Sequence, residues 1–238
     1  MSSKTRILRL VRSLRWKELR SDLHMAPEFL GLRDEEGRNL LHLCCSVNLE
    51  RRGMKTADSL RTVDVLIDAG IDINAPAVTQ GDWKATPLWY AIAFGNNVAL
   101  ARHLIKRGSD PRYCLWAAVN RDNPAAIRLL LQSGADDPTN EEGSPLLAAI
   151  DWKKPKAAAE LLKLGANVNY QDKHGVTPLH AALKRRRDVR LVRMLIEHGA
   201  RGDIRDSAGV TAADLMMRRR DPEFRSLVAQ LATDSRLA

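Results

Sequence analysis

Three cysteines and six histidines are the side chains of this 238-residue sequence best suited to metal ligation or nucleophilic attack. Their spacing argues against both. His24, His103, His174 and His198 stand at no interval from a cysteine or carboxylate that would close a metal site. Cys44 and Cys45 are neighbours in an apolar segment, where small buried side chains serve packing. Three cysteines make no disulfide framework and fit a reducing compartment. The sequence holds no order of nucleophile, base and orienting group. Nor does it hold a glycine loop to cradle phosphate or a carboxylate pair at helical spacing. No catalytic residue, cofactor or metal site is expected, so the chain is read as non-enzymatic.

His42 and His180 belong to a different pattern, an internal repeat. His180 lies in Thr177-Pro178-Leu179-His180-Ala181-Ala182. Relatives of that stretch are Thr86-Pro87-Leu88-Trp89-Tyr90-Ala91, Ser144-Pro145-Leu146-Leu147-Ala148-Ala149 and Asn39-Leu40-Leu41-His42, with weaker copies beginning at Tyr113 and Thr211. A Leu-rich element closed by glycine follows each of the first five, ending at Gly70, Gly108, Gly134, Gly165 and Gly199. Thr or Ser before Pro starts a helix, because the hydroxyl caps free N–H groups and Pro fits the first turn. Paired alanines let a neighbouring helix come close. The Leu-rich element is a second amphipathic helix, and its glycine supplies a left-handed end. One such unit cannot bury its apolar face alone, so units must stack.

These residues resemble the ankyrin repeat family: T-P-L-H-x-A-A, then L-L-x-x-G-A, then D-x-x-G, at a period of about 33. Thr177–Gly199 with the Asp172–Gly175 loop fits the pattern most fully, and the resemblance extends over roughly residues 5–232. It implies an all-α solenoid of stacked helix-turn-helix repeats with β-hairpin-like finger loops. About six units are expected, including a C-terminal cap at 205–238, after an N-terminal cap at 1–33, with repeats over 34–204. Asn39 to Gly70 is 31 positions against 21 in the Ser144 unit, which predicts an insertion near 48–61. Gly108 to Tyr113 is 5, which predicts a missing finger near 109–112. Conversely, Gln80-Gly81-Asp82-Trp83 marks a longer finger. The basic run Lys4–Arg12 reads as a cap helix, a basic surface helix for membranes or acidic partners, or an organelle transit peptide. Its fit to a repeat favours the cap.

The formal net charge is +9, and it lies at the ends: +5 over residues 1–33, −1 over 34–169 and +5 over 170–238. No apolar run approaches the ~18 residues of a membrane span, and the start carries no secretory leader. The expected setting is cytoplasmic and monomeric, with the nucleus or delivery into a host cell as alternatives. The function implied is protein–protein interaction with a partner of acidic character. Binding of nucleic acid or another polyanion through the basic ends competes with it. A near-neutral centre and the lack of a recognition motif argue against that class. A secreted effector would use the same surface.

In the family, partners meet the concave face, formed by finger tips and exposed inner-helix positions. Carried over, this gives Trp83, Lys84, Lys173 and His174 at finger tips. On inner helices it gives Ser46, Val47, Tyr90, Phe94, Arg121, Asp151, Trp152, Lys184, Arg185, Met217 and Arg218. The same register divides the cation run Lys184–Arg187. Lys184 and Arg185 face the groove, while Arg186 and Arg187, with Arg219 and Arg220, are expected to form a solvated basic edge.

Overall fold

The computed structural model describes residues 3–77, 85–135, 143–219 and 221–234. Its helices come in pairs. The first is α1 (Lys4–Arg12) with α2 (Trp16–Met25), followed by a 3-10 turn at Pro27–Gly31. Next come α3 (Leu40–Cys45), the short α4 (Leu49–Arg52) and α5 (Thr56–Asp68), so the inserted residues carry a helical turn of their own. The pairs α6 (Pro87–Ala93) and α7 (Val98–Lys106), then α8 (Leu115–Asn120) and α9 (Pro124–Gln132) follow. The series continues with α10 (Pro145–Asp151) and α11 (Pro155–Lys163), α12 (Pro178–Lys184) and α13 (Val189–Glu197), and α14 (Ala212–Met217) and α15 (Pro222–Asp234).

Local chemistry sets where each helix begins. The side-chain oxygens of Asn39, Thr86, Ser144, Thr177 and Thr211 accept the N–H of the residue three positions on. Pro87, Pro145 and Pro178 follow these caps in the first turn, where a missing N–H costs nothing. The outer helices end at Gly70, Gly108, Gly134, Gly165 and Gly199, whose φ angles lie between 81° and 96°. Inner helices end differently. Leu14, Asn96, Asp122, Lys153 and Arg186 adopt left-handed φ of 47° to 58° without being glycine. At Arg186 the turn is closed by Arg186 N–H to Leu183 O (3.1 Å) and Arg187 N–H to Ala182 O (2.8 Å).

Contacts group the chain into two compact units: Met1–Ala117 with Leu129–Ala135, and Ala118–Arg128 with Asp136–Ala238. In the first, α1 packs on α3 and α3 on α6, while α2 packs on α5 and α5 on α7. Ile7, Leu19, Leu40, Leu66, Leu88 and Leu104 are fully buried there. In the second, α10 packs on α12 and α12 on α14, while α11 packs on α13 and α13 on α15. Leu146, Leu161, Leu179, Val192 and Leu195 fill that core. Within the first unit the chain also passes very close to itself at Gly95: a Cβ there would lie 2.5 Å from Cys45 O and 2.8 Å from Ala91 O.

Asparagines tie successive loops. Asn74 donates to Gly108 O (3.2 Å) and accepts Asp110 N–H (2.8 Å) in the first unit. In the second, Asn169 donates to Gly199 O (2.9 Å) and accepts Arg201 N–H (2.8 Å). Each amide thus satisfies a helix-end carbonyl of the next repeat. The hairpin-like character of the fingers reduces, among the described residues, to isolated antiparallel bridges at Ala77–Ala85 and Arg205–Thr211.

Two substitutions test these backbone constraints. Gly95→Ala is expected to destabilise by about 2 kcal/mol, since the neighbours are backbone oxygens and cannot rotate away. Arg186→Gly is expected to stabilise by about 0.5–1 kcal/mol, by removing the left-handed strain of a Cβ. Urea denaturation of both variants beside the wild type measures the two effects.

Candidate interaction surface

The inner helices end on a series of exposed side chains. In the first unit Phe94 caps α6 and is 52% exposed. Its ring stacks on Tyr90 at 5.4 Å and meets Trp89 edge-on at 5.6 Å. Tyr90 departs from expectation. It is 3% exposed rather than open to the groove. His42 and Trp89 approach it edge-on at 5.3 and 5.2 Å, and the Arg38 guanidinium lies 6.0 Å from its ring centroid. The helical register put Tyr90 on the open side, but the aromatic residues around it close over the ring. Val47 is also buried, and Ser46 turns its hydroxyl back to Leu43 O (2.9 Å).

In the second unit Arg121 is exposed after α8, and Trp152 caps α10 at 45% exposure. Asp151 accepts from Arg185 Nε at 2.8 Å, with Arg185 55% exposed. Lys184 donates to Asp206 Oδ2 at 2.7 Å. Both of these cations are therefore paired within the chain. Met217 (60% exposed) and Arg218 extend the series on α14. Lys173 and His174 are exposed at a finger tip, where His174 O accepts Ser207 N–H (2.9 Å) from the next finger. Trp83 and Lys84 lie outside the described residues.

One device builds the described fingers. Asp34, Asp172 and Asp206 each accept two backbone N–H groups on Oδ1, from the residues two and four positions on. Gly37, Gly175 and Gly209 close the loops at φ of 70° to 74°. At Asp206 the Lys184 ammonium first, and the Val210 and Ala208 N–H groups with it, hold the carboxyl down to about 2. Lys184 therefore joins inner helix to finger as well as facing outward.

The expected solvated edge needs correction at Arg187. Its guanidinium donates to Ile150 O (2.9 Å) and Asp151 O (2.8 Å), the open carbonyls at the end of α10. Arg219 does the same to Leu183 O (2.6 Å) at the end of α12. In the first unit Arg52 reaches Arg12 O (3.2 Å) at the end of α1. A cation satisfies orphan C-terminal carbonyls and complements the helix dipole, which competes with staying in water. Arg186 is exposed, and Arg220 lies outside the described residues.

A family model described as ankyrin repeats, in three copies, matches residues 88–172 and 114–207, together half of the chain. The chain belongs to the ankyrin repeat family. Rabankyrin-5 of Mus musculus is 33% identical over 123 residues, 44% of this chain and 10% of its own length. Phosphocholine transferase AnkX of Legionella pneumophila is 31% identical over 153 residues, 58% of this chain and 16% of its own length. The chain thus spans a small fraction of these two relatives. The probable 26S proteasome regulatory subunit p28 of Saccharomyces cerevisiae is 27% identical over 214 residues, covering 85% of this chain and 89% of p28. The crystal structure of the human ASB11 ankyrin repeat domain superposes with a TM-score of 0.69 at 23% identity, covering 88% of this chain and 90% of that one. Ankyrin repeats are generally protein–protein interaction modules. Among the described residues no helix is long and apolar enough to cross a membrane.

The ankyrin T-P-L-H position shows how a cap residue sets a proton. Thr177 Oγ1 accepts His180 N–H (3.3 Å) and can donate its own hydrogen to His180 Nδ1 (2.8 Å), while Nε2 donates to Val210 O (3.1 Å). In the first unit Asn39 replaces the threonine. Asn39 N–H donates to His42 Nδ1 (3.2 Å), so the ring hydrogen sits on Nε2, 3.2 Å from Ala85 O. Asn39 Oδ1 accepts His42 N–H (3.0 Å) but lies 2.7 Å from Nδ1 with no hydrogen to offer. Its Nδ2 is buried without a partner. Sequence pattern assigned both histidines to structure; the mismatch at Asn39 had no sequence signal beyond the replaced threonine. Asn39→Thr is expected to raise stability by about 1 kcal/mol, because an orphan buried donor is removed and Nδ1 gains one.

Burial pushes the His42 imidazole down from 6.5 to about 4, against the weaker opposite pull of Ala85 O. Below pH 6.5 the unfolded ring takes up a proton that the folded ring refuses until about pH 4. Stability therefore falls on acidification across that window, by on the order of 3 kcal/mol. Denaturant midpoints at several pH values in this range should show the fall, with a shallower one for His42→Gln. His180, also lowered by burial, leaves part of the slope in that variant.

Proposed function

We propose that this chain is a non-catalytic adaptor that binds a protein partner on the face carrying its inner helices and fingers. The observation that carries this reading is the repeated placement of large side chains at inner-helix ends. Phe94, Trp152 and Met217 are 52%, 45% and 60% exposed there. Exposed aromatic and Met side chains beside arginine have the composition of interface hot spots. Arg121, Asp151, Lys173, His174, Lys184, Arg185 and Arg218 form the polar part of the surface in this reading. Arg185 and Lys184 would exchange internal carboxylates for those of an acidic partner, which suits a reversible contact. Rigid repeats present this surface with little ordering cost.

In the same reading residues 1–33 and 205–238 cap the repeats at 34–204, and the protein acts as a monomer in the cytoplasm. Cys44, Cys45 and Cys114, all free and buried, support a reducing setting. Burial pushes the Cys44 and Cys114 thiols up to about 12, which suits packing and not nucleophilic work.

The experiment is affinity capture with quantitative mass spectrometry, comparing wild type with Trp152→Ala/Arg185→Ala. The double variant is expected to lose at least about tenfold of a specific captured partner while its melting temperature moves by no more than about 3 °C. Retained capture by a folded variant sinks the proposal. Loss of folding assigns these side chains to the scaffold, and Phe94→Ser then repeats the test in the other unit.

A further inference from the structure

A second cluster lies away from the inner-helix face, on α2 and α5 of the first unit. The Trp16 ring has three cations around it: Lys17 Nζ at 5.5 Å, Arg20 at 5.6 Å and Arg61 at 5.3 Å from the ring centroid. All three side chains belong to exposed residues, while Trp16 itself is part-buried. The carboxylates of α2 are already committed: Glu18 to Arg15, and Asp22 to Arg6. Among the described residues none of the three cations forms an ion pair, and Asp58, one turn before Arg61 on α5, forms none with it.

Three like charges held around one indole repel each other. The ring quadrupole offsets part of that cost. An anionic ligand would offset the rest. The ring also fixes the guanidinium planes, so that N–H forks are presented with less ordering on binding. We propose that Trp16, Lys17, Arg20 and Arg61 form a second docking site for an acidic peptide segment of a protein partner. Charge complementarity carries the assignment: guanidinium forks without internal partners match carboxylates. Base stacking is disfavoured because the ring is already engaged by three cations, and stacking is what sequence-tolerant single-strand binding relies on. The same engagement keeps the indole from inserting into a lipid surface.

The test is fluorescence anisotropy of the full chain with a fluorescein-labelled octaglutamate peptide, beside a single-stranded thymidine oligonucleotide of equal charge and vesicles carrying anionic lipid. The peptide is expected to bind more tightly than either of the other two, and to weaken as salt rises from about 50 to 300 mM. Arg20→Gln/Arg61→Gln is expected to weaken peptide binding at least about tenfold with folding retained, because both side chains are exposed. Trp16→Leu, which keeps the charges but removes the ring, is expected to weaken it by a smaller factor. Lys156→Gln/Lys163→Gln, which removes two exposed cations of α11 that belong to neither surface, is expected to bind the peptide as the wild type does, which separates this site from general charge attraction. Unchanged binding in folded Arg20→Gln/Arg61→Gln, or tighter binding to the oligonucleotide or vesicles, overturns the proposal.

Discussion

The constraint on which the structure depends is the shortness of its inner helices. Helices of six or seven residues, such as α3, α12 and α14, are unstable alone in water. They also leave most of their backbone groups unpaired by the helix itself. Two kinds of contact answer this. Fully buried leucines such as Leu40, Leu88, Leu146 and Leu179 supply the apolar surface. Side chains from the neighbouring repeat supply partners for helix ends, as Arg187 does for Ile150 O and Arg219 for Leu183 O.

This second kind of contact limits what the surface can offer a partner. Lys184 and Arg185 look like free cations in a run of four. Lys184 instead holds the finger carboxylate Asp206, and Arg185 holds Asp151. Any acidic partner on that face must compete with these carboxylates for the same donors. The cluster around Trp16 carries no such debt: among the described residues Lys17, Arg20 and Arg61 form no ion pair, and the α2 carboxylates Glu18 and Asp22 are held by other arginines. Selectivity between the two faces would then follow from how much internal pairing each must give up, not from how many cations each displays.

Much of the scaffold was legible because it rests on local chemistry. Thr177 and Ser144 cap their own helices, Pro178 and Pro145 occupy the first turn, and Gly165 and Gly199 are left-handed where a side chain is strained. Asp172 and Gly175 likewise set their finger within five residues of chain. The surface was legible in part. Phe94, Trp152 and Arg218 are exposed as register predicts, because an inner-helix end projects past its neighbours. Tyr90 is not, because its environment is made by His42 from the preceding repeat and by Phe94 one turn on.

The sequence by itself determined the repeat, the helix boundaries, the finger turns and the place of His42 and His180 in the repeat, since each follows from neighbours within a few residues or from a fixed period. Tertiary structure alone decided which cations are spent inside the fold. Arg186 and Arg187 are adjacent and chemically identical, yet one is exposed and the other caps a helix of the preceding repeat. The difference arises 36 and 37 residues away along the chain, where α10 ends with open carbonyls. Tertiary structure likewise brought Arg61 of α5 to Trp16 of α2. A charge carries no mark in the sequence of which carbonyl, carboxylate or ring will reach it; packing settles that by deciding what lies within hydrogen-bond distance.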